Sequence, residues 1–134
     1  MEKLEKKTIL ILDDTKPIRI LLLKKLENKY NCLLAQHPFD AIKLVNEYED
    51  ELALIITDYQ MPDLNGYEFL KRIELVAQRV PVILLSSQLT ELRVKELYQL
   101  GVRTFMAKPV EINRLIKEIE NLIGESEKDE GKEG

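Results

Sequence analysis

Short, continuously apolar runs alternate along this chain with longer stretches in which apolar residues recur every three or four positions. The short runs predict strands over 8–13, 32–36, 52–58, 81–86 and 103–107. Most are too apolar to leave one face in water, as expected of a parallel sheet covered on both sides. The intervening stretches predict helices. The first has Pro17 near its start, where a missing N–H costs nothing, and carries Ile18, Leu21, Leu22 and Leu26. The second starts near Pro38 and runs through Ala41, Ile42, Val45 and Tyr48. The third follows a turn at Asn65–Gly66 and carries Phe69, Leu70, Ile73, Val76 and Ala77. The fourth begins near Thr90 and stops at Gly101, a residue that readily takes the left-handed conformation after a helix. The fifth runs from Glu111 to Ile123, with Ile112, Leu115, Ile116, Ile119, Leu122 and Ile123 on one stripe, and ends at Gly124. The whole reads as five βα units, a doubly wound α/β sandwich.

The 134 residues, 45% of them hydrophobic, suffice for one domain with a normal core. That domain is expected over 1–124. Residues 125–134 have no apolar side chain and are dominated by Glu, Lys and Gly, so a disordered charged tail is expected there. No apolar stretch approaches the roughly 20 residues of a membrane span. Residues 1–7 alternate charges and lack a signal-peptide core, so the expected location is cytoplasmic. A single cysteine, Cys32, excludes an intramolecular disulfide and is read as a small core hydrophobe. The net charge of −4 supplies no basic face for nucleic acid, and direct DNA binding is not expected.

In a parallel α/β sheet, ligands collect beyond the carboxyl ends of the strands. That rule selects Asp13 and Asp14 after the first strand, Asp58 at the end of the third, Ser86 at the end of the fourth and Lys108 after the fifth. Taken singly, each has a structural use: Asp14 or Thr15 as a helix cap, Asp58 in a turn, Ser86 on a backbone group, Lys108 in solvent. Their joint placement on one edge favours chemistry instead. Three crowded carboxylates repel unless a cation or proton intervenes. Mg²⁺ suits them, since it takes one or two carboxylates, waters and a phosphate. Asp58 is then placed to attack a phosphoryl group in line, with Lys108 and the metal neutralising the phosphoryl oxygens.

These residues sit in Ile-Leu-Asp-Asp at 11–14, Thr-Asp-Tyr-Gln-Met-Pro-Asp-Leu-Asn-Gly at 57–66, Leu-Leu-Ser-Ser at 84–87 and Phe-Met-Ala-Lys-Pro at 105–109. In this order and spacing, the chain resembles the receiver domain of two-component response regulators, the CheY-like fold, over residues 7–123. The resemblance implies a five-stranded parallel sheet in order 2-1-3-4-5, flavodoxin-like, with five helices. It implies that Asp58 is the phosphoacceptor and that Asp13, Asp14, Asp58 and the backbone carbonyl of Gln60 bind Mg²⁺. It makes Lys108 the lysine that pairs with the phosphoryl group, before a cis bond to Pro109. It also makes Ser86 and Phe105 a switch pair, the hydroxyl moving to a phosphoryl oxygen and the aromatic turning inward. Ser87 departs from the usual Ala or Gly beside the phosphorylation site, and Pro38 from a Gly that often starts the second helix. Gln60 and Gln88 stand where residues influence phosphoryl lifetime in the family.

The function so implied is a single-domain response regulator. A sensor histidine kinase or histidine phosphotransfer protein donates the phosphoryl group. The domain catalyses its own phosphorylation and slow autodephosphorylation, without being an enzyme on other substrates. A downstream protein reads the face of the fourth helix, fifth strand and fifth helix, with Arg93, Lys95, Tyr98 and Met106 as contacts. One rival is an aspartate-nucleophile phosphohydrolase of the haloacid dehalogenase type. It is disfavoured because Gln60 stands where those enzymes have a second Asp, and because no cap domain is inserted. The other rival is a relay or docking receiver without direct output.

Overall fold

The computed structural model describes residues 6–133. Its sheet has five strands: β1 (Thr8–Leu12), β2 (Asn31–Ala35), β3 (Leu52–Asp58), β4 (Val82–Ser86) and β5 (Val102–Ala107). All pair in parallel in the order β2-β1-β3-β4-β5, as expected. The helices are α1 (Lys16–Leu26), α2 (Pro38–Tyr48), α3 (Gly66–Arg72), α4 (Glu74–Ala77), α5 (Val94–Gln99) and α6 (Ile112–Glu133).

Side chains alternate across a strand, and here both sets are buried. Leu10, Leu12, Ile55, Val82 and Leu84 meet α2, α3, α4 and α5 on one face, through Ala41, Val45, Phe69, Leu70, Val76 and Leu97. Ile9, Ile11, Leu54, Ile56, Ile83 and Leu85 meet α1 and α6 on the other, through Leu22, Leu26, Leu115 and Ile119. The apolar runs are continuous because each residue has a helix layer to face. Cys32 is half-buried against the second cluster, and burial pushes its thiol up.

Four expectations about elements are corrected. The single third helix is two, because Ile73 (φ −114, ψ 28) interrupts it while its buried side chain stays in the core. The fourth helix does not begin at Thr90. Residues Leu89–Glu91 form a 3₁₀ turn closed by Leu92 N–H onto the Leu89 carbonyl. Leu92 is extended and packs on the core, so the α-helix starts only at Val94. The last helix does not end at Gly124 but continues to Glu133, and residues 125–133, expected to be disordered, are helical. Gly124 has negative φ, and nothing lies within 4 Å of where its Cβ would be. Glycine costs a helix interior only about 1 kcal/mol, and the Glu and Lys that follow are good helix formers. Finally, Met106 points into the second core cluster and is 4% exposed, so it is not available to a partner.

Two glycines are used for close approach. Gly101 follows α5 with φ 109 as expected, and a Cβ there would lie 1.9 Å from the Ala77 carbonyl oxygen. Gly66 opens α3, and a Cβ there would lie 3.0 Å from both the Asp58 carbonyl oxygen and Leu84 Cδ1. Asn65 caps α3 with a reciprocal box, accepting from Glu68 N while Glu68 Oε1 accepts from Asn65 N.

Candidate functional site

The carboxyl ends of β1, β3, β4 and β5 converge where the strand order reverses, between β1 and β3. Asp13 follows β1 and is buried, while Asp14 beside it is exposed. Asp58 closes β3 with no exposed surface. One carboxylate oxygen from each of the three lies within 4.8 Å of the others.

Backbone and side-chain contacts hold this edge. Thr15 N–H donates to Asp13 Oδ1 at 2.6 Å, and Arg19 Nη1 donates to the Asp13 carbonyl at 2.6 Å. Thr15 occupies the N-cap of α1 without a side-chain capping bond, so the alternative use of this segment as a plain helix cap is not what its side chain does. Thr57 Oγ1 donates to the Asp58 carbonyl at 3.0 Å. Past Asp58 the backbone is clamped on both sides: Tyr59 N–H donates to the Leu85 carbonyl and Gly66 N–H to the Tyr59 carbonyl, each at 2.8 Å.

Lys108 follows β5, its own N–H donating to the Ser86 carbonyl at 2.9 Å, and its bond to Pro109 is cis. Its Nζ lies 2.5 Å from Asp58 Oδ1 and 3.9 Å from Asp13 Oδ2. Asp13 Oδ2 and Asp58 Oδ2 are buried without a hydrogen-bond donor. Burial pushes the Asp58 carboxyl up from 3.8 to about 7, and the Asp13 charge adds to the rise, while Lys108 opposes it.

Ser86 is fully buried, and its Oγ accepts from Gln60 Nε2 at 3.0 Å and from Gln88 N–H at 3.1 Å. Gln60 Oε1 in turn accepts from Ser87 N–H at 3.3 Å. Phe105 pairs with Leu84 in the β4–β5 register, two residues before the Ser86–Ala107 pair. Period-two alternation therefore puts it on the Ser86 face, half-buried against the first core cluster.

The structure thus brings Asp13, Asp14, Asp58 and Lys108 into direct proximity, and joins Ser86 to the site through Gln60. Sequence reasoning gave Gln60 a backbone ligand role and an influence on phosphoryl lifetime but not its contact with Ser86, and it overlooked Arg19. Arg19 stands six residues beyond Asp13 on a helix, a spacing with no motif attached. The Gln60 amide contact depends on β3 and β4 being neighbours, which local pattern does not encode.

The donor set is all hard oxygen, and two of its oxygens lack any donor, which fits a divalent cation better than a structural ion pair. Chemically the edge can hold such an ion beside a buried carboxylate, with an ammonium opposite.

Strand order, helices on both faces and an acidic pocket at the switch point define the flavodoxin-like class of doubly wound α/β proteins, in its CheY-like form. A model of the response regulator receiver domain family matches residues 9–120. A curated relative, histidine kinase P4 of Formosa agariphila, is 31% identical over 121 residues, covering 89% of this chain and 9% of the relative. The receiver domain of Francisella response regulator 1452 is 28% identical with a TM-score of 0.78, covering 90% of this chain and 99% of that one. The signal receiver domain of a LuxO repressor protein from Vibrio parahaemolyticus shares the fold at a TM-score of 0.83 and 22% identity, covering 97% and 99% of the two chains. The chain belongs to the response regulator receiver domain family. It spans 9%, 39% and 44% of the lengths of the first three curated relatives it matches. Among the described residues, no helix is long and apolar enough to cross a membrane.

Proposed function

We propose that this domain is a phosphoryl-accepting switch in which Asp58 is the acceptor. The observation that carries the reading is the buried Asp58 carboxylate set between the Asp13–Asp14 pair and the Lys108 ammonium, with Asp13 Oδ2 and Asp58 Oδ2 lacking donors. Asp13, Asp14, Asp58 and the Gln60 backbone carbonyl would hold Mg²⁺. When bound, that ion supplies positive charge to the carboxylates and to incoming phosphoryl oxygens. Asp58, deprotonated, attacks phosphorus through one carboxylate oxygen. The new O–P bond forms as the P–N bond of a phosphohistidine breaks, and the departing imidazole nitrogen takes a proton from solvent. Lys108 follows the charge from the carboxylate onto the phosphoryl group. Ser86 then donates its hydroxyl proton to a phosphoryl oxygen, and Phe105, on the same face, repacks.

The donor class is a sensor histidine kinase or a histidine phosphotransfer protein. The readout surface is α5, β5 and α6, where Tyr98 is 58% exposed and Arg103 lies over its ring at 5.3 Å. Division into a domain over 1–124 and a tail over 125–134, and a cytoplasmic location, belong to the same proposal.

The test is incubation with Mg²⁺ and acetyl phosphate, followed by intact mass. Wild type is expected to gain one phosphoryl group that survives acid and is lost in base, and Asp58→Asn none. No adduct, under conditions that label a control receiver, would refute the switch. Turnover of many substrate equivalents would favour a phosphohydrolase instead.

A further inference from the structure

Ser86, Ser87 and Gln88 follow one another at the end of β4; the Gln60 side chain from β3's loop bonds the first two, and Ser86 Oγ accepts from the third. Gln60 projects from a backbone clamped between Leu85 and Gly66 through Tyr59. The orientation of its amide is determined by its partners. Ser87 N–H can only donate, so the amide oxygen must face it, and the NH₂ must face Ser86 Oγ. Ser86 Oγ has two lone pairs, and both are occupied, by Gln60 and by Gln88 N–H. The Ser87 N–H has one proton, and it is spent on Gln60.

A phosphoryl group is an acceptor only, so it needs donors. On the β4 side those are the Ser86 hydroxyl, whose oxygen is held in place by the Gln60 NH₂ while its proton stays unspent on Gln60, and the Ser87 amide, whose proton is donated to Gln60 Oε1. We propose that the Gln60 side chain is a tether that holds the Ser86 hydroxyl and the Ser87 amide in the unphosphorylated arrangement and must be displaced when Asp58 is phosphorylated. The inference rests on Asp58 as acceptor, and it makes Gln60 a positioning residue acting through Ser86. Releasing Gln60 frees the Ser87 proton and lets the buried hydroxyl move. It also uncouples the 87–88 backbone from β3, so a covalent event at Asp58 reaches the loop before α5.

Gln60→Met keeps length and volume but can make neither bond, and it leaves the backbone carbonyl in place. In unphosphorylated, metal-free protein, hydrogen exchange at the Ser87 and Gln88 amides is expected to accelerate by about three- to tenfold, the equivalent of one net hydrogen bond. The Tyr59 amide, bonded to Leu85, should not change. In a Ser86→Ala background, Gln60→Met should add nothing at Gln88. With Mg²⁺, beryllofluoride should bind Gln60→Met about three- to tenfold more tightly than wild type, because no tether is broken. Unchanged exchange at Ser87 and Gln88, or additive effects of the two substitutions at Gln88, would overturn the tether. So would faster exchange with unchanged or weaker beryllofluoride binding, since the amide would then pack the loop without opposing the switch. Failure of both proteins to bind beryllofluoride would count against Asp58 as acceptor, while the exchange result would still decide whether Gln60 restrains this loop.

Discussion

Lys108 Nζ lies 2.5 Å from Asp58 Oδ1, yet the Asp58 carboxyl is pushed up to about 7. One cation does not offset full burial and the neighbouring Asp13 charge. Without metal the site is therefore a destabilised element, and its charge is held against the fold's preference.

The consequence for stability has a definite sign. Asp58 binds its proton more tightly folded than unfolded, so its charge destabilises the fold fully above about pH 7 and hardly at all near pH 4. Asp58→Asn should therefore raise stability in metal-free buffer at pH 8, by on the order of 2 kcal/mol. The gain should shrink as pH falls through 7 and be small by pH 4. Thermal unfolding of both proteins at the two pH values checks this, and equal midpoints at pH 8 would contradict the burial argument.

Lys108→Met removes the cation and leaves two buried carboxylates facing each other. At pH 8 stability should fall by roughly 2 kcal/mol, whereas the same substitution in an Asp58→Asn background should cost less than about 1 kcal/mol. Denaturant unfolding of the two single variants and the double variant gives the coupling. An equal loss from Lys108→Met in both backgrounds would mean that the contact is not an energetic pair.

Metal binding competes with the same proton. Mg²⁺ should raise the unfolding temperature at pH 8, and its apparent affinity should fall about tenfold per unit as pH drops below 7. Asp13→Asn should abolish the effect. Titration of the unfolding midpoint with Mg²⁺ at pH 8 and pH 6 measures it, and a pH-independent affinity would exclude Asp58 as a ligand.

Much of this site was legible in the sequence because each polar residue ends an apolar run. Asp13, Asp58, Ser86 and Lys108 are each placed by a strand, and strand ends in a parallel sheet meet at one edge. Helix interruptions were less legible. Ile73 and Leu92 are apolar residues at helical spacing that nevertheless leave helical geometry, because their packing on the core outweighs local propensity. Met106 was misread as surface for a related reason: residue type alone does not say which face of β5 it takes, and the neighbouring register does. Gly124 illustrates the limit of punctuation, since a glycine marks a helix end only when a left-handed turn or close contact requires it.

The helical segment beyond Gly124 leads to a prediction about the domain boundary. Among the described residues the last core contacts of α6 are Leu122 and Ile123, and residues 125–134 carry no apolar side chain, so truncation after residue 124 should change stability by less than about 0.5 kcal/mol. Chemical denaturation of the two proteins tests it. A loss above about 1 kcal/mol would place part of residues 125–134 within the folded domain.

Gly66 and Gly101 separate two tasks in this fold, positioning Asp58 and closing the core. At Gly101 an added Cβ would meet the Ala77 carbonyl oxygen at 1.9 Å, with φ 109 already unfavourable for any L side chain. The α5–β5 turn must then move away from α4. Gly101→Ala should cost about 3 kcal/mol or more. At Gly66 the closest contacts are 3.0 Å and φ is not positive, so a shift of a few tenths of an ångström accommodates alanine. Gly66→Ala should cost only about 1 kcal/mol. One of the atoms that must yield, however, is the carbonyl oxygen of Asp58. In-line transfer is sensitive to small displacements, so labelling by acetyl phosphate should slow in Gly66→Ala by at least about tenfold. Gly101→Ala should label at a near-normal rate per folded molecule. Measuring both unfolding and initial labelling for each variant distinguishes the two effects, and parallel losses in the two variants would show that position 66 serves stability alone.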